Sequence, residues 1–145
     1  MDSRKGLKMS SIVVLIFAVV SVLNIVSELL FGDLNNAEIP AGSPDNILLI
    51  TKIILLAVSF VLLLPQIYIG LKGLKLAKYP DSSRLHIVIG IILLVLTAVD
   101  LISPMISVIK MESVFQNVSE LCGVIVEVMV YYEYVKYARA VSQGR

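Results

Sequence analysis

The sequence predicts an all-α integral membrane protein, an antiparallel bundle of four transmembrane helices with both termini cytoplasmic. Three observations lead there. The first is composition: 58% of the chain is hydrophobic and only 16% charged, with a mean hydropathy of +0.94. Soluble domains carry about a quarter charged residues and about half apolar ones. The second is blockiness. The apolar residues fall in blocks at approximately 9–31, 47–71, 85–109 and 113–135, and about 20 apolar residues span a hydrocarbon core. These blocks nearly exhaust the 145 residues, so a single membrane domain, 1–145, is expected. The third is charge placement. Arg4, Lys5, Lys8, Lys72, Lys75, Lys78, Arg84, Lys136, Arg139 and Arg145 share one side, whereas the opposite loops hold only Lys110. Cytoplasmic loops are enriched in Lys and Arg, so the N- and C-termini are expected on the cytoplasmic side of the cell membrane.

The first span follows a basic head and at first resembles a secretory signal. Signal cores run about 7–15 residues. This run is longer and carries Asn24 and Glu28, so it is expected to be a retained membrane helix. Its Ser10, Phe17, Ser21, Asn24 and Glu28 share one side. Residues 32–46 are rich in Gly, Pro, Asn and Asp, which are turn formers. Ser43 or Asp45 is positioned to cap the second span.

In the second span Lys52, Ser59, Gln66, Gly70 and Gly73 fall within about 60° of a helical wheel. Pro65 lies inside it and predicts a kink. Gly70 and Gly73 favour close helix contact. Lys72, Lys75 and Lys78 recur as the helix leaves the bilayer, where anionic headgroups attract them. Tyr79-Pro80 ends the helix, and Asp81, Ser82 and Ser83 are cap candidates for the next.

The third span carries His86, Gly90, Thr97, Asp100, Pro104 and Ser107 on one side, and His86 reads as an interfacial residue. The short Lys110-Met111-Glu112 connection forces the third and fourth spans to be antiparallel neighbours. The fourth carries Gln116, Glu120, Gly123, Glu127 and Tyr134 within roughly 80°. Six tyrosines (68, 79, 131, 132, 134 and 137) lie toward the basic side, as an aromatic belt would.

Each span thus has one polar or small stripe. At 1.5 Å per residue, Glu28, Lys52, Asp100 and Glu120 reach similar depth in the outer third, and Glu127 lies near the middle. A carboxylate facing lipid is costly, so these five residues form the candidate intramembrane polar or ion site. Two roles follow. Polar residues can hold membrane helices together, with Lys52 as counter-ion of Asp100 and Glu120. Alternatively the cluster takes up a proton or cation.

Other chemistry finds little footing. No Gly-rich phosphate loop, HExxH or CxxC occurs. Cys122 is the only cysteine, so neither an internal disulfide nor a thiolate cluster is expected. No cofactor, metal or catalytic residue is expected, and nucleic acid is not an expected partner. The expected partners are the lipid bilayer and either a second copy of the chain or another membrane protein. The leading functional expectation is an accessory, regulatory or immunity-type subunit acting through helix contacts without catalysis. The alternative is a small proton- or cation-coupled transporter or channel built on the carboxylate–lysine cluster.

Overall fold

The computed structural model describes residues 2–31, 47–80, 84–110 and 114–144. The cap candidates Ser43, Asp45, Asp81, Ser82 and Ser83 lie outside them, as do Met111, Glu112 and Arg145. The described residues form helices α1 (Ser3–Phe31), α2 (Ile47–Lys78), α3 (Leu85–Asp100), α4 (Ile102–Ile109) and α5 (Val114–Ser142). No strand occurs among them. Three stretches are long and apolar enough to cross a membrane: Ser3–Ser27, Leu49–Lys78 and Leu85–Ile109, whose most apolar 18-residue windows have mean hydropathies of 2.6, 2.4 and 2.7. The fourth expected span lies in α5, which equals α1 at 29 residues. It carries Glu120, Glu127 and Glu133 and is the least apolar of the helices.

α3 and α4 form one rod interrupted at Leu101. Pro104 lacks the N–H that would bond to the Asp100 carbonyl. Leu101 keeps right-handed helical angles (φ −65°, ψ −24°), and Met105 N–H donates to the Leu101 carbonyl at 3.2 Å. The path therefore continues beyond the break. Pro65, where a kink was expected, lies inside the continuous helix α2.

The four rods close in the order α1, α2, α3/α4, α5. α1 packs on α2 and α5, α3 packs on α5 and α2, and α4 packs on α5. Neighbours in this ring run antiparallel: the start of α1 meets the end of α5 (Gly6 with Tyr137) and the end of α2 (Ser11 with Gly73), and the start of α3 meets the end of α5 (Gly90 with Tyr134 and Val135). The start of α1, the end of α2, the start of α3 and the end of α5 therefore lie at one end, here called the basic end. The other is the far end.

Burial is concentrated in the basic half. On α1 the buried face is Leu7, Ser11, Val14 and Ala18; on α2 it is Leu63, Ile69, Gly73 and Leu76. On α3 it is His86, Gly90, Leu93 and Thr97, and on α5 Tyr131, Tyr134, Ala138 and Val141. Leu63 apart, which lies six residues before Ile69, steps of three and four residues place each set on one helix face. Among the described far-half residues the sole buried one is Pro104.

The close approach at the basic end depends on Gly70 and Gly73. A β-carbon at Gly70 would lie 2.6 Å from the Leu15 side chain. One at Gly73 would collide with Ser11 Oγ and lie 2.7 Å from the Tyr134 ring. The helix contact expected of this pair is present. Ser11 remains satisfied because its hydroxyl donates to the Leu7 carbonyl at 2.6 Å, and Ser10 likewise donates to Gly6 O at 3.0 Å. Such back-bonding lets a hydroxyl enter an apolar interface at little cost.

Two tyrosines correct the expected aromatic belt. Tyr131 and Tyr134 are fully buried. They sit on the side of α5 that faces the other rods, where large rings fill the centre of the bundle. Tyr68, Tyr79 and Tyr132 do point outward.

Candidate functional site

The polar stripes meet two by two. Between α1 and α2, Ser21, Ser59 and Gln66 line a small cleft of about 210 Å³. Between the α3/α4 rod and α5, Asp100, Ser103 and Glu120 line an open cleft of about 660 Å³ whose other walls are Val99, Ile102, Ile106 and Val124. Tyr131 joins the two. Its hydroxyl donates to Glu127 Oε1 at 3.1 Å, with the Gln66 side chain close by. Glu127 lies seven residues, two turns, along α5 from Glu120 and so shares its helix face. A polar seam therefore runs from Gln66 through Tyr131 and Glu127 to Asp100 and Glu120.

The five residues singled out by sequence take different places on this seam. Asp100 and Glu120 share the larger cleft and are both exposed. Among the described residues neither accepts a hydrogen bond or joins an ion pair. Glu127 is half-buried one turn from Tyr131, where the packed core begins. Lys52 is half-buried on α2 and is not among the residues lining the Asp100–Glu120 cleft. Glu28 belongs to α1, and its side chain lies outside the described ones.

The seam is closed at the basic end. Below Tyr131, the buried side chains of Leu7, Val14, Ile69, Leu76 and Tyr134 fill the bundle. His86 belongs to this plug. It is 1% exposed, and its ring meets that of Tyr134 edge to face at 6.5 Å and 88°. An interfacial His86 was expected. Instead α3 packs from its first turn, so the imidazole turns inward.

No family model, curated protein or solved structure matches this chain. Its chemistry is read from its own side chains. Three carboxylates converge, one of them held by a phenol. Among the described residues no group of His, Cys, Asp and Glu has the arrangement of a metal site. Sequence reasoning missed Tyr131 as a member of the seam and placed it in the aromatic belt. The spacing did carry the signal: Tyr131 lies four residues after Glu127, and such pairs share a helix face.

Proposed function

We propose that this chain is a small multi-pass membrane protein with both termini in the cytoplasm. It acts through helix contacts as an accessory, regulatory or immunity-type subunit and not as an enzyme. The observation that carries the reading is the state of Asp100 and Glu120: both exposed, both in one cleft, neither with a hydrogen-bond or ion-pair partner among the described residues. At intramembrane depth an uncovered carboxylate is expensive, and it is relieved by protein or by water. A partner helix bearing a Lys, Arg or hydrogen-bond donor at that depth would fill the cleft. Its apolar walls, Val99, Ile102, Ile106 and Val124, would supply the packing. A second copy of the chain or another membrane protein is suited to the role.

The test is photo-crosslinking in native membranes. A crosslinker at Ile106 or Val124 should give a protein adduct of discrete mass, and one at the outward-facing Ile92 should not. Asp100→Asn with Glu120→Gln should abolish the adduct. Equal yields from all three positions would refute the reading. A second reading, a proton- or cation-coupled transporter, draws on Glu127, half-buried two turns along α5 from the cleft residue Glu120. It predicts flux in proteoliposomes that vanishes in Glu127→Gln.

A further inference from the structure

At the basic end a second cleft, separate from the seam, lies between the start of α3 and the last turn of α5. It measures about 420 Å³ and is lined by Arg84, Ile87, Val88, Arg139, Ser142 and Gln143. Its charged lining residues are both cationic. Among the described residues neither Arg84 nor Arg139 joins an ion pair. The nearest carboxylate on α5 is Glu133, whose partner is Lys136 at 3.1 Å. Two guanidiniums in one concavity, with no anion paired to them among the described residues, favour a ligand with several acceptor oxygens, because the guanidinium fork matches phosphate. Ser142 and Gln143 add neutral polar groups at the rim, while the Ser142 hydroxyl is turned to the Arg139 carbonyl at 2.9 Å.

The remaining lining is apolar. Ile87 is buried beneath the cleft, and Val88 is 49% exposed at its edge, beside an outward-facing Leu85. A cationic mouth continuous with an outward apolar strip matches an amphiphile better than a free anion. We propose that this cleft binds an anionic phospholipid, with its phosphate between Arg84 and Arg139 and the start of an acyl chain along Val88 and Leu85. Basic pockets between helices at a membrane surface recognise such headgroups. The proposal rests on the chain residing in a bilayer. It does not depend on which partner covers the Asp100–Glu120 cleft.

The test uses the full chain purified in a neutral detergent, so membrane orientation does not enter. Native mass spectrometry would follow titration with phosphatidylglycerol, phosphatidylcholine and inorganic phosphate. The wild type should retain phosphatidylglycerol in preference to phosphatidylcholine. Each arginine replaced by glutamine should weaken it about fivefold, and the pair roughly thirtyfold. Arg84 and Arg139 are exposed, so these variants should fold, and an unchanged unfolding midpoint would verify it. Lys75→Gln, outside the cleft, should leave binding intact. Undiminished phosphatidylglycerol binding in Arg84→Gln/Arg139→Gln would overturn the site. Competition by millimolar inorganic phosphate would show a soluble-anion site and overturn the lipid assignment. Retention of neither lipid would overturn the lipid site alone; recovery of the expressed chain in the soluble rather than the membrane fraction would separately overturn the membrane premise.

Discussion

The basic half and the far half of this bundle are built from the same four rods yet do different work. In the basic half each rod turns a narrow face inward, and the contacts are closed by glycine, serine and two buried tyrosines. In the far half the same rods present Val, Ile and Leu outward, and the polar stripe stays open. Gly73 and Gly123 make the contrast concrete. The first touches Ser11 and Tyr134; the second has no neighbour within 4 Å of a built β-carbon. Association of helices in lipid depends on close packing rather than on apolarity. The half with small residues at its crossings is therefore the half that holds the fold. The half without them is left available to something else.

This division can be broken by matched substitutions. The largest effect is expected from Tyr134→Ala, which removes a fully buried ring at the centre and should cost about 3–5 kcal/mol. Tyr132→Ala, two residues away but outward-facing, should cost under about 1 kcal/mol. Chemical or thermal unfolding in detergent would compare them, and equal losses would erase the distinction between core and belt tyrosines.

Next come the glycines. Gly73→Val should cost about 1–3 kcal/mol by overpacking, while Gly123→Val should stay within about 0.5 kcal/mol. If Gly123→Val proved the more damaging, the far half would be packed more tightly than this structure shows.

A finer test separates the two buried phenols. Tyr131→Phe deletes the bond to Glu127 and should cost about 1 kcal/mol. Tyr134→Phe should be neutral or stabilising, because its buried hydroxyl has no hydrogen-bond partner among the described residues. A loss in Tyr134→Phe as large as that in Tyr131→Phe would mean that the Tyr134 hydroxyl is engaged.

The smallest effect concerns the basic rim. The Glu133 carboxylate raises Lys136 above its ordinary value, first by hydrogen bond and then by charge. A raised lysine stabilises the fold below its unfolded value, near 10.4, and loses that contribution as pH climbs through the folded value. Exposed pairs of this kind contribute little. Glu133→Gln should thus leave the unfolding midpoint unchanged between pH 6 and 8. A drop within that window would show that the rim is part of the core.

The rods themselves were legible in the sequence. Block length, Gly- and Pro-rich turns and short connections are local properties, and they specify four helices and their neighbours. Gly70 and Gly73 were also legible, since two small residues one turn apart leave a visible gap in a helix surface. The asymmetry between halves was not. A valine facing lipid and a valine facing a core read alike, as do a tyrosine at an interface and one at a bundle centre. The break at Leu101 was hidden for a related reason, because Pro65 and Pro104 carry the same local signal and only their surroundings differ. In the site, Asp100 and Glu120 were drawn together by stripe and depth, and they do share a cleft. Lys52 shares that depth by estimate but not the cleft, because the cleft is walled by α3, α4 and α5 while Lys52 rides on α2.

The decisive measurement is the thermal unfolding midpoint of isolated Asp100→Asn/Glu120→Gln in detergent, read beside its crosslinking from Ile106 in native membranes. If the carboxylates serve a partner and not the fold, the midpoint should move by no more than about 2 °C, less than the shift from 1 kcal/mol in a domain of this size, while the crosslinked adduct disappears. A midpoint lowered by about 8 °C or more, with the adduct retained, would show the opposite: the two carboxylates would be internal fastenings of the bundle, and the far cleft would not be its docking surface.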